Sequence, residues 1–186
     1  MKSYLFLANG FEEIEALATV DVLRRAGMDM TTVSINKTTE VIGANGIKVV
    51  ADTVIDDLTP EQRDSAQWLI VPGGNDGSTN LAADGRVSDM LKAQWTAGRN
   101  IASICAAPAV VLGPLGIVRG QDATCYPTLK SELIESGANY IDQRVVISGN
   151  LITANGPSSA LPFAFAIVAQ TLGNDVASAV ASGMLV

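Results

Sequence analysis

Short apolar runs alternate with stretches of helical periodicity along almost the whole chain. No other feature limits the possible folds as much. Ser3–Ala8 (SYLFLA) is apolar and aromatic, as a buried strand is. Next, Phe11–Gly27 sets Ile14, Leu17, Ala18, Asp21, Val22 and Arg25 at helical spacing. Acids fill its first turn, Arg24 and Arg25 its last, and Gly27 ends it. Further strands are predicted at Met30–Asn36, Gln67–Val71, Asn100–Cys105 and Ala123–Pro127. Helices are predicted at Asp84–Gly98, Ala107–Gly116, Leu129–Ser136, Ser158–Gly173 and Asp175–Ser182. Hairpins are predicted around Asn45-Gly46 and Gly149-Asn150. Alternating strands and helices build βαβ units, hence a mostly parallel sheet covered on both faces, with antiparallel strands added by the hairpins.

Composition agrees with one such domain. Of 186 residues, 48% are hydrophobic and 17% charged, so a core can form without staples. Lys and Arg number 12 against 19 acids, a net charge of −7. With no basic cluster to override it, that charge argues against nucleic-acid partners. No run approaches the roughly 20 apolar residues of a membrane span, and the N-terminus lacks the pattern of a secretory signal. Cytoplasmic location is the resulting expectation, and two cysteines suit a reducing compartment.

In open α/β sheets, ligands bind beyond the carboxyl ends of the strands. Three such ends stand out: ANGFEEIE, VPGGN and SICAAP. Cys105 falls between a predicted strand and a predicted helix. A sharp turn there holds a nucleophile up and out of the sheet, and small Ser103, Ala106 and Ala107 let the backbone bend. Backbone N–H groups at a helix start could face a thiolate or an oxyanion. The competing reading is a buried core cysteine. Gly73 and Gly74 could present N–H groups to an anion, or simply make a tight turn.

Taken together, GFEEIE, VPGGN, ICAAP and NGPSSALPFA resemble the ThiJ/PfpI superfamily, which includes the Parkinsonism-associated protein deglycase family. ICAAP and YPTLK are most similar to its bacterial YajL-type branch. The resemblance implies a flavodoxin-like, doubly wound α/β fold, a homodimer and no cofactor. It implies that Cys105 is the reactive cysteine, that Glu15 contacts its sulfur, and that Gly74 and Ala106 are oxyanion donors. Glu12, Gly73, Asn75, Pro157 and Ser158 are expected around the same pocket. Glu12 and Glu15, three apart, share a helix face and could both turn inward, whereas Glu13 is expected to face water.

The chain contains no histidine. Many members of the superfamily have one before the proline of CYPTL, where this chain has Tyr126. Tyrosine, with a reference pKa near 10, is a poor base at neutral pH but can shape a pocket. A Cys–His pair is therefore impossible in the chain or in a homo-oligomer, which argues against protease-like and amidotransferase-like activities. No zinc-ligand spacing exists either, so no metal is expected.

Two readings follow. In the first, Cys105 attacks reactive carbonyl species such as methylglyoxal or glyoxal, or their early adducts on proteins or nucleotides. In the second, Cys105 is a redox-sensing thiol of a chaperone-like stress protein. Both call for an acidic Cys105, which the dipole of the predicted helix would favour. Cys125 is read as structural, pointing away from a site that Tyr126 faces.

Overall fold

The computed structural model describes residues 1–186. Seven strands form one sheet: β1 (Ser3–Leu7), β2 (Met30–Ser34), β5 (Thr53–Val54), β6 (Trp68–Val71), β7 (Asn100–Ile104), β10 (Val145–Ser148) and β11 (Leu151–Ala154). Their order is β10-β11-β7-β6-β1-β2-β5, and every pairing is parallel except β10 with β11. This is the mostly parallel, doubly wound sheet that the alternation demands.

Residues alternate between two faces along each strand. Tyr4 and Phe6 enter one core layer, with Leu81, Val87 and Leu91 of α3 (Asn75–Ala83) and α4 (Gly85–Thr96) and Leu133 of α5 (Lys130–Glu135). Leu5 and Leu7 enter the other. There they meet Ala16, Val20 and Leu23 of α1 (Glu13–Arg25) and Phe163 and Ile167 of α6 (Ala160–Leu172). Ala177 of α7 (Asn174–Gly183) joins that second layer. A sheet buried on both faces explains why its central strands read as continuous apolar runs. No helix is long and apolar enough to cross a membrane.

The hairpin at Asn45-Gly46 forms as β3 (Glu40–Ile42) and β4 (Lys48–Val50), outside the main sheet. The hairpin at Gly149-Asn150 forms its antiparallel edge. Four short elements have no counterpart in the sequence reading: α2 (Pro60–Asp64), α3, β5, and β9 (Asn139–Tyr140), which pairs with β8 (Asp122–Ala123). Helix α3 escaped notice because NDGST is polar and glycine-bearing, with little apolar periodicity to register.

Two predicted elements are corrected. The helix expected over Ala107–Gly116 is a single wide turn, Pro108–Leu112, closed by Gly113 N–H donating to the Pro108 carbonyl at 3.0 Å. Pro114 has no N–H to continue it, and the backbone of Gly113 passes close to Ser136, where a Cβ would lie 2.5 Å from its Oγ. The strand expected over Ala123–Pro127 ends at Ala123. Beyond it the chain bends so that Tyr126 N–H donates to the Cys105 carbonyl at 2.7 Å.

Candidate active site

Strand β1 leads across to β2 on one side of the sheet, and β6 leads to β7 on the other. The loops leaving β1 and β6 therefore part at the carboxyl edge, where α/β sheets make a crevice. Backbone hydrogen bonds tie the two loops together. Glu12 N–H donates to the Gly73 carbonyl at 3.0 Å, and Gly77 N–H to the Gly10 carbonyl at 3.1 Å. Gly74 has φ 90°, and a Cβ there would lie 2.2 Å from the Gly10 oxygen. Only glycine allows this approach.

Cys105 stands next to this crevice with φ 66°, a left-handed backbone that is uncommon for a residue with a side chain. Its N–H donates to the Ala154 carbonyl of β11 at 2.8 Å, and its carbonyl accepts from Tyr126. The turn is thus over-determined on both sides, which is how a strained residue persists. The thiol is 7% exposed, and the N–H groups of Gly74 and Ala106 face its sulfur.

Glu15 comes from the first turn of α1 and is fully buried. Its Oε2 accepts from Gly73 N–H at 2.8 Å, and its carboxyl lies beside the Cys105 side chain. Its Oε1 has no partner. An unpartnered buried carboxylate oxygen favours the protonated acid. Burial, reinforced by the Glu12 charge, pushes Glu15 up to about 7 against the pull of Cys105 and Gly73.

Cys105 does not have the simple helix-start environment expected of it. Burial, followed by the Glu15 carboxylate, pushes its thiol up to about 12, against the pull of the Gly74 and Ala106 N–H groups. Burial and Glu132 push the fully buried Cys125 up to about 12 as well. The two thiols differ in their partners, not in burial alone. Only Cys105 has backbone donors on its sulfur and a carboxyl able to hold a proton beside it. With the proton on Glu15, the repulsion disappears and a thiolate gains a donor. The pair therefore works as one unit that shares its protons.

Glu12 caps α1, its Oε2 accepting from Glu15 N–H at 2.8 Å. It lies behind Glu15 and does not line the cavity in front of the sulfur. That cavity measures ≈ 350 Å³ and is lined by Asn75, Cys105, Ala106, Tyr126, Thr128 and Leu129. Pro157 and Ser158 do not line it. They form the turn before α6, where the Ser158 side chain is exposed and its carbonyl accepts from Arg144. Gly73 sits behind the sulfur instead of in the cavity wall. Thr128 and Leu129 were missed by the sequence reading. Pro127, which starts their turn at a position where helices accept proline, was the available signal.

Glu13 departs from expectation too. It is 4% exposed, and its carboxylate accepts from Asn45 N–H at 2.7 Å and Asn45 Nδ2 at 2.8 Å. Burial alone would raise its pKa, but these hydrogen bonds outweigh it and hold the acid below its ordinary value. Glu13 thus pins the β3–β4 turn to α1.

Residues 1–170 match the DJ-1/PfpI family. The chain is 36% identical over 169 residues to protein DJ-1 homolog B of Arabidopsis thaliana, covering 91% of this chain but 37% of that protein. It thus spans well under half the length of that relative. It is 38% identical over 157 residues to a Caenorhabditis elegans protein named glutathione-independent glyoxalase DJR-1.2, covering 84% of this chain and 81% of that one. The solved structure of oxidized Toxoplasma gondii DJ-1 superposes with a TM-score of 0.92 at 32% identity, covering 99% of this chain and 97% of that chain. The sheet order, the cysteine turn and these matches agree: the chain belongs to the DJ-1/PfpI family.

Proposed function

We propose that this protein is a cysteine-dependent enzyme of carbonyl stress, acting on methylglyoxal, glyoxal or their early adducts. The observation that carries this reading is the buried Glu15–Cys105 pair beneath the N–H groups of Gly74 and Ala106. The relative named a glyoxalase supports the same class.

With methylglyoxal the steps balance without an external oxidant or reductant. The Cys105 sulfur bonds to the aldehyde carbon, and the carbonyl electron pair moves to oxygen. Gly74 and Ala106, whose donors already face the sulfur, are placed to hold that oxyanion. Glu15 gives it a proton, completing a hemithioacetal. The Glu15 carboxylate then takes the hydrogen of the former aldehyde carbon as a proton, and the electron pair forms an enediolate with its charge on the neighbouring oxygen. Glu15 returns that proton to the neighbouring carbon while the hydroxyl proton of the sulfur-bearing carbon passes to the neighbouring oxygen, which leaves a lactoyl thioester. Water cleaves it, releasing lactate and the free thiol. One carbon is oxidised and its neighbour reduced, so no redox cofactor enters.

Tyr126 has no place in this proton path. Methylglyoxal consumption and lactate release, followed near neutral pH, test the scheme. Tyr126→Phe removes one hydroxyl and should lower turnover by roughly two- to twelvefold, as for a lost hydrogen bond. Loss as complete as that of a Cys105 variant would make Tyr126 the essential acid–base group and sink the Cys–Glu scheme.

The redox reading has one supporting observation, the oxidized state of the superposed Toxoplasma relative. It takes over if the wild-type protein consumes no methylglyoxal while dilute peroxide oxidises Cys105 selectively to sulfenate and sulfinate.

The proposal includes a homodimer. Ile14 and Leu17 of α1 and Ile42, Ile47 and Val50 of the β3–β4 hairpin are exposed apolar side chains. Glu13 holds these two elements side by side. Light scattering at micromolar protein should give twice the chain mass, with Ile14→Glu shifting it toward one; a monomeric wild type would remove this part of the reading.

A further inference from the structure

The wall of the cavity opposite the sulfur is unusual for a site that handles only a three-carbon substrate. The space of ≈ 350 Å³ corresponds to about a dozen waters at ~30 Å³ each. Methylglyoxal has five heavy atoms and leaves most of it unfilled. No lysine or arginine is among the lining residues. A substrate carboxylate entering it would lose water without gaining a cation.

Tyr126 forms the outer wall and is 43% exposed. Its backbone is clamped, with N–H donating to the Cys105 carbonyl at 2.7 Å and its own carbonyl accepting from Leu129 N–H at 2.9 Å. One edge of the ring rests near Gly156, where a Cβ would lie 3.5 Å from Cδ2. The hydrogen bond that Tyr126 N–H donates to the Cys105 carbonyl therefore holds the tyrosine backbone beside the cysteine turn. Leu129, three residues on in the same turn, adds an apolar side chain beside it.

We propose that Tyr126 and Leu129 select neutral carbonyl substrates bearing a planar apolar substituent, such as an aryl 2-oxoaldehyde, which stacks on the tyrosine ring while its aldehyde meets Cys105. This rests on the reading of Cys105 as the nucleophile and names the substrate class within it. Aromatic rings in such pairs prefer offset or edge-to-face contact, and the tyrosine backbone is held in place before a substrate arrives.

The test needs no turnover. Cys105 alkylation rates are measured by peptide mass for iodoacetamide and for its N-phenyl analogue, and each is divided by the rate with free cysteine. In the wild type the phenyl reagent should be favoured. Tyr126→Ala should lower the phenyl-to-plain ratio by roughly two- to twelvefold, whereas Tyr126→Phe should hold it within about twofold. Should Tyr126→Ala not fold, Leu129→Ala reads the same wall and should lower the ratio. An unchanged ratio in the alanine variant, or an equal fall in the phenylalanine variant, overturns the stacking role. An iodoacetate rate equal to that of iodoacetamide, after the same correction, overturns the preference for neutral substrates. Phenylglyoxal against methylglyoxal turnover then separates the two ideas. A favourable alkylation ratio with no consumption of either aldehyde removes the enzyme reading and leaves the aryl-selective wall standing.

Discussion

Cys105→Ser should abolish methylglyoxal turnover, and the Glu15 variants should show why the thiol reacts at all. A serine hydroxyl lacks the low pKa and soft nucleophilicity of a thiolate, and no histidine exists to activate it. The subtler result concerns the shared proton. With Glu15 ionised, burial and the adjacent charge push Cys105 up to about 12. With the proton on Glu15, the same sulfur faces a donor instead. The first proton leaves the pair near the value of about 7 to which Glu15 is pushed. Iodoacetamide labelling of Cys105 should therefore rise through neutral pH, while Cys125 stays unlabelled there. Glu15→Gln retains a donor without the charge and should keep Cys105 reactive near neutrality. Glu15→Leu removes the donor and should move labelling to higher pH. Turnover should fall in both variants by about 10²-fold or more, because neither side chain can carry the proton. A labelling midpoint for the glutamine variant at or above that of the leucine variant would sink the donor role.

The same acid gives a stability signature with a definite sign. Glu15 binds its proton more tightly folded than unfolded, so its contribution is fully present below the ordinary glutamate value. It fades as pH rises toward about 7. Urea titrations should show the wild type losing stability relative to Glu15→Gln across that window, by a few kcal/mol at most. The acids held below their ordinary values, Glu13, Asp52 and Asp84, act in the opposite sense and weaken the fold only at lower pH.

Gly73→Ala should be the most damaging change that leaves every reactive group in place. A Cβ there would lie 2.5 Å from both the Cys105 Cβ and the Glu15 Oε2, and 3.0 Å from the sulfur. Neither neighbour can yield easily. Cys105 sits on a left-handed turn bonded on both sides, and Glu15 is held by Gly73 N–H itself. The added carbon must separate the pair or tilt the loop. A displacement near 1 Å is enough to lower catalysis by about 10²-fold. Overpacking of this kind also costs about 1–3 kcal/mol, or a melting point lower by ~2–4 °C for each kcal/mol in a chain of this size. Gly85→Ala is the control, at the start of α4, where nothing lies within 4 Å. Turnover and Cys105 labelling in Gly73→Ala within a factor of three of wild type would show that the tight approach has no bearing on the chemistry.

Much of this site was legible before any coordinates. Glycines after an apolar strand, small residues around a cysteine at a strand end and acids opening a helix are local signals, each with a local physical cause. The pairing of Glu15 with Gly73 spans 58 residues of chain and has no local signature. It exists because β1 and β6 lie side by side and release their loops at one edge. Glu13 was misread for the same reason. As a first-turn acid it belongs in water, until a hairpin more than thirty residues away folds over it and supplies two donors.

By itself the sequence determined the parallel α/β class, the two hairpin turns, the absence of a histidine mechanism and the small set of residues able to do chemistry. These follow from periodicity, turn chemistry and residue type, which act over a few neighbours. Tertiary structure alone decided the strand order, the addition of Thr128 and Leu129 to the cavity wall, and the withdrawal of Pro157 and Ser158 from it. It also decided the direction in which the Cys105 thiol is pushed. A pKa depends on burial and on charges brought close through space, and neither is set until distant strands have packed together.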